Sequence, residues 1–276
     1  MTLTFRDYSE DQIAAAKSVL LELVRLLAEY RDDIVVVGGW VPELTLRAYP
    51  NRYVGTIDVA LALNHVRLQE AGYEMIRRLL LVRGDESHDQ QPFIFFRTVT
   101  VAGRPIRVEV DFLADGYDGT GKGHPTQKIQ DARARKARGG DLAFEMNSEV
   151  NVEGTLPGGA RDSATVLVAS IVPLLVMKGM ALHERLKEKD AWDIYFVLTN
   201  NPGGVEALVA ETRPHVDDGL VREGLTKISE KFASPDHVGP RFVADFEDVH
   251  DSDQRALLTR DAYERVDYSL RKLGLR

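Results

Sequence analysis

A change of hydrophobic period near residue 169 divides this chain. Before it, short β-branched or alternating runs at 34–37, 57–63, 93–101, 106–114, 149–156 and 165–168 predict strands. Helical spacing predicts helices over 10–30, 40–48 and 70–82, the first opened by the capping pair Ser9 and Gln12. Gly103-Arg104 joins two of the strands as a hairpin, 83–91 reads as a polar loop, and 142–146 reads as one more strand. After residue 169 the apolar residues recur only at helical spacing, over 171–187, 189–199, 204–212, 217–232 and 253–273. Asn200-Asn201-Pro202-Gly203-Gly204 breaks two of these helices apart. The expectation is an α+β chain: a mixed sheet with flanking helices over 1–169 and a helical bundle over 170–276.

Composition narrows the chemistry. The chain has no cysteine, which removes disulfides, thiolate nucleophiles and cysteine metal sites and fits a reducing cytoplasm. No apolar stretch approaches the length of a membrane span and no leader is visible, so a cytoplasmic protein is expected. The net charge is −8, yet residues 122–138 hold six basic residues against Asp131 alone. That stretch is either a docking surface for a phosphate backbone or a solvated loop. The seven histidines show no zinc-like spacing.

Three features carry candidate chemistry. Gly38-Gly39 closes a buried strand and opens a helix, a turn whose N–H groups can meet phosphate or can simply turn the chain. Thr56-Ile57-Asp58-Val59-Ala60-Leu61 places Thr56, Asp58 and Ala60 on one strand face and the apolar residues on the other. Glu109 and Asp111 repeat that pattern within Arg107–Phe112, so the two strands side by side would gather three carboxylates. Such a cluster suits Mg²⁺, or faces solvent. The third feature is Met177-Lys178, Arg185 and Lys187-Glu188-Lys189-Asp190-Ala191-Trp192-Asp193-Ile194-Tyr195. Lys178 and Arg185 share one helical face and Asp190 and Asp193 another, an arrangement that surface salt bridges would also explain.

Together, the glycine pair after a strand, T-x-D about twenty residues on and a later E-V-D strand resemble the DNA polymerase β-like nucleotidyltransferase superfamily. The segment M-K-G-x-A-L-x-x-R-x-K-x-K-D-A-W-D-I-Y is similar to the signature of AbiEii/AbiGii-type nucleotidyltransferases, which include toxins of toxin–antitoxin systems and the MenT toxins. The resemblance covers about residues 30–200 and implies a nucleotidyltransferase-like sheet followed by helices. It implies transfer of a nucleoside monophosphate from an NTP, with Mg²⁺, to an acceptor such as a tRNA 3′ end, and a cognate antitoxin. It implies that Gly38 and Gly39 lie against the triphosphate, that Asp58 and Asp111 bind metal, and that Lys178 reaches the phosphates. Asp190, with Asp193 and Arg185, completes the charged set, and Thr56 contacts a phosphate or steadies Asp58.

Two residues depart from the family pattern. Trp40 follows the glycine pair where many members carry serine, and Ala60 stands where the second metal-binding aspartate belongs. Glu109 offers partial compensation. Of three explanations, an engineered inactivating substitution is favoured over a natural pseudoenzyme or a different ligand set, because Asp58, Asp111, Lys178 and Asp190 are intact. The competing functions are an inert NTP-, RNA- or partner-binding protein on the same fold, and a transferase acting on a small molecule such as an antibiotic.

Overall fold

Ser9 caps the first helix, α1 (Glu10–Leu26), by accepting from the Gln12 amide while Gln12 Oε1 accepts from the Ser9 amide. The helix stops four residues short of expectation, and the chain tightens into a 3₁₀ segment over Ala28–Asp33. In the computed structural model, which describes residues 4–46, 53–114, 135–136 and 138–276, the chain forms two units. Tyr8–Leu44 and Gly55–Ser170 make an α/β unit; Met1–Asp7, Thr45–Val54 and Ile171–Arg276 make a helical one. All of the basic stretch 122–138 except residues 135, 136 and 138 lies outside the described residues.

The α/β unit runs α1, β1 (Ile34–Val37), α2 (Trp40–Thr45), β2 (Asp58–Leu63), α3 (His65–Arg83), β3 (Glu86–Ser87), β4 (Ile94–Val101), β5 (Arg104–Ala114), β6 (Arg135–Lys136), α4 (Gly140–Glu145), β7 (Asn147–Thr155) and β8 (Arg161–Ala169). The strands form one mixed sheet in the order β3-β4-β5-β2-β1-β8-β7, with β6 added along β5. Two short elements differ from expectation. Residues 142–146, expected as a strand, belong to α4, which follows Gly139 at φ +89°. A five-residue apolar run carries no decisive period, and the left-handed glycine opens a helical turn there. The expected 83–91 loop contains β3.

Helix α1 lies across the sheet with Ala15, Ala16, Val19, Leu20 and Leu23 fully buried. Its Glu22 takes a bidentate ion pair from Arg97 of β4, at 2.9 and 3.0 Å. Arg97 and its neighbours Phe95 and Val99 therefore point to the α1 side of the sheet. By the alternation of side chains, Phe96 and Thr98 point to the opposite side.

The helical unit contains α5 (Ile171–Arg185), α6 (Glu188–Asn200), α7 (Gly204–Thr212), α8 (Gly219–Lys231), α9 (Val238–Phe246) and α10 (Ser252–Lys272). Helix α9 lies in a stretch for which no element was expected; its Pro240 falls within the first turn, where proline is tolerated. Helices α5 and α8 cross at Gly179 and Gly224, where a Cβ on Gly179 would stand 2.3 Å from the Gly224 carbonyl oxygen. Among the described residues no helix is long and apolar enough to cross a membrane.

Candidate functional site

Strand pairing brings the predicted acids together. β2 and β5 are parallel neighbours, with Asp58 opposite Glu109 and Ala60 opposite Asp111. Partners in a ladder project to the same side, so these four residues share one face, the face away from α1. Asp58 is exposed, Glu109 half-buried and Asp111 buried. Thr56, expected to share the strand face, precedes β2 and is buried, and its hydroxyl donates to Asp58 Oδ1. That bond directs the Asp58 carboxylate.

The glycine turn sits against this row. Val37 of β1 pairs with Ala60, and the next residue, Gly38, has φ +69°, a conformation that favours glycine. A Cβ built on Gly38 would lie 3.5 Å from the Ala60 Cβ. Position 60 is thus enclosed by the turn on one side and Asp111 on the other. Trp40, where serine is usual, is 1% exposed and donates its indole N–H to the Asp58 carbonyl at 2.8 Å. It fastens the start of α2 to the strand that carries the acid.

The fit to metal is limited. Among the described residues no group of three or more His, Cys, Asp or Glu side chains could hold a metal ion. Ala60 contributes a methyl group where a bridging oxygen would be required between Asp58 and Asp111, and a two-ion centre needs such a bridge. The residues present do not fit a pair of divalent ions.

The remaining predicted residues form a buried charged network within the helical unit. Lys178 Nζ meets Asp190 Oδ1 at 2.8 Å and Asp193 Oδ2 at 2.6 Å. Arg185 donates to Asp190 through Nε at 2.7 Å and Nη2 at 2.8 Å. Asp190 and Asp193 are 1% and 0% exposed, so the surface salt bridges weighed from sequence are interior ones. Burial disfavours the Lys178 ammonium, but Asp190 and Asp193 outweigh it and hold its pKa above the ordinary lysine range. Burial likewise disfavours both carboxylates, yet Lys178 and Arg185 hold Asp190 below the usual range, and Lys178 and Lys189 do so for Asp193.

Two members of this network escaped the sequence reading. Tyr53 donates its hydroxyl to Asp193 Oδ1 at 2.7 Å, and Lys189 Nζ pairs with the same oxygen at 2.9 Å. The Tyr53 ring packs on Trp192 and Phe196 at centroid distances of 5.4 and 5.1 Å. Lys189, four residues before Asp193, was legible as a helical pair. Tyr53 had no local signal.

A comparison with curated proteins finds no match. A family model described as nucleotidyl transferase AbiEii toxin, type IV TA system, matches residues 25–265, taking in both the sheet with its acids and the helices with the charged network. The chain belongs to the AbiEii family of nucleotidyl transferase toxins of toxin–antitoxin systems.

Proposed function

We propose that the active form of this protein moves a nucleoside monophosphate from an NTP to an RNA acceptor, a tRNA 3′ end in the first instance, and that Ala60 has silenced the chain described here. The observation that carries this reading is the register of β2 on β5, which aligns Asp58, Ala60, Glu109 and Asp111 beside the Gly38 turn. Backbone N–H groups of Gly38 and Gly39 face the triphosphate and Thr56 steadies Asp58, while Lys178 keeps its charge beside Asp190 and Asp193 within the helical unit. In the active form, an acid at position 60 with Asp58 and Asp111 would hold Mg²⁺, which would supply charge neutralisation at the phosphates. An acid restored at position 60 would complete a set with Asp58 and Asp111; in this chain Ala60 leaves that set incomplete. A cognate antitoxin completes the reading, as the family implies.

The test compares this chain with its Ala60→Asp variant, each incubated with tRNA, one labelled NTP at a time and Mg²⁺. Label on tRNA from Ala60→Asp alone is the expected result. Label from neither protein would overturn the enzyme reading in favour of an NTP- or RNA-binding protein. Label confined to small acceptors would replace RNA with an antibiotic-like substrate. Adding Asp111→Ala to the restored variant should abolish transfer, and full activity there would remove Asp111 from the site.

A further inference from the structure

The row of side chains that contains Asp58 continues beyond the acids. Asp58 of β2 pairs with Glu109 of β5, Glu109 with Phe96 of β4, and Phe96 with Glu86 of β3. These residues share the face opposite α1, and Phe96 stands two strand spacings, about 10 Å, from Asp58. One pair further along β5, Arg107 lies opposite Thr98 on the same face.

Phe96 and Arg107 are stacked. The Arg107 Cζ lies 3.6 Å from the centroid of the half-buried Phe96 ring, and the Arg107 side chain is 54% exposed. His88 flanks the same ring at 5.9 Å, and its Nδ1 is occupied as acceptor for the Gln90 and Gln91 amides at 3.1 and 3.2 Å. The Arg107 guanidinium also meets Glu86 Oε2 at 3.3 Å. A guanidinium laid flat on an aromatic ring keeps its other plane available, and that plane is a stacking surface for a base.

We propose that the Phe96–Arg107 stack is the seat of the acceptor's terminal nucleobase, presented by a single-stranded RNA 3′ end. This rests on the nucleotidyl-transfer reading above. In-line displacement at phosphorus places the attacking hydroxyl opposite the departing pyrophosphate. The Gly38 turn, on the β1 side of Asp58 and Asp111, is the triphosphate side, so the acceptor approaches from the β5–β4 side, where the stack lies. Charge agrees with a base in preference to a phosphate. Glu86 and Glu109 flank the stack and repel a backbone anion, while a neutral π-face loses nothing there. Stacking tolerates any base, so the platform fixes the end of the RNA without dictating its sequence.

The test uses the full chain without NTP or Mg²⁺, and a short single-stranded RNA carrying 2-aminopurine at its 3′ end. Binding should quench the 2-aminopurine, and Phe96→Ala should weaken binding by about 5- to 150-fold, the range for loss of one stacked base. Phe96→Trp should restore both quenching and affinity, which a merely structural role would not predict. Arg107→Ala should weaken binding comparably. Equal affinity and quenching in wild type and Phe96→Ala would overturn the proposal, as would no RNA binding by the wild type. A parallel titration with free ATP distinguishes the two sources of a base. Loss of ATP binding in Phe96→Ala, with RNA binding unchanged, would assign the platform to the incoming nucleotide and overturn the acceptor assignment. If Ala60→Asp transfers nothing while quenching stands, the transfer reading fails and the base platform remains.

Discussion

Replacing Asp190 by asparagine should cost about 3 kcal/mol of stability. Asp190 is 1% exposed and accepts three charge-assisted bonds, one from Lys178 and two from Arg185. Removing one member of a buried ion pair costs about 3–5 kcal/mol, because the remaining charge stays buried. Two features draw the value to the low end: Lys178 keeps Asp193 at 2.6 Å, and the Arg185 side chain is 35% exposed and so rehydrates. At that cost the melting temperature falls by roughly 6–12 °C. Urea unfolding followed by circular dichroism measures it. Trp192 is packed on Tyr53, Phe196 and Phe246 in the same unit, and its fluorescence, with that of Trp40 in the α/β unit, follows the same transition. The pH dependence has a definite sign. The folded carboxylate pKa is lowered from 3.8, so its contribution is complete above that value and is lost as pH falls through the folded pKa. Lys178 is raised from 10.5, so its contribution is complete below that value and is lost as pH rises through the folded pKa. The difference between wild type and Asp190→Asn should therefore be flat across neutral pH and shrink in acid below about pH 4. A neutral-pH loss under about 1 kcal/mol, the scale of exposed pairs, would refute the reasoning.

Three further substitutions probe the supports of the two units. Gly179→Ala drives a Cβ to 2.3 Å from the Gly224 carbonyl and should destabilise by about 3 kcal/mol, whereas Gly219→Ala, with nothing within 4 Å, should be neutral or better in the same urea titration. Trp40→Phe deprives the Asp58 carbonyl of its indole donor and should cost about 1–3 kcal/mol by thermal unfolding; a change under about 0.5 kcal/mol would show that the bond fastens nothing.

Much of this arrangement was legible locally. The alternation at 58–63 and 107–112 needs only the strand period, and Ser9 with Gln12 needs only the capping geometry. Whether those strands would lie side by side is a matter of sheet order, which no local pattern encodes, and the parallel β2–β5 pairing is what aligns their acids. Helices α4 and α9 escaped because short runs carry little period. The charged network was visible as spacing, but its burial was not, since burial depends on packing from distant helices. Tyr53 illustrates the limit: its value to Asp193 comes wholly from a partner far along the chain.

That separation has a consequence for synthesis. Asp193 follows Tyr53 by 140 residues, and at about 5–20 residues per second the ribosome needs roughly 7–28 s to make them. During that interval strands β2 to β8 are translated, while the phenol destined for the helical unit has neither Asp193 nor Trp192 to meet. The helical unit's polar centre is thus closed by a segment made early and kept waiting. A nascent chain arrested before residue 192 would lack both of these partners of Tyr53.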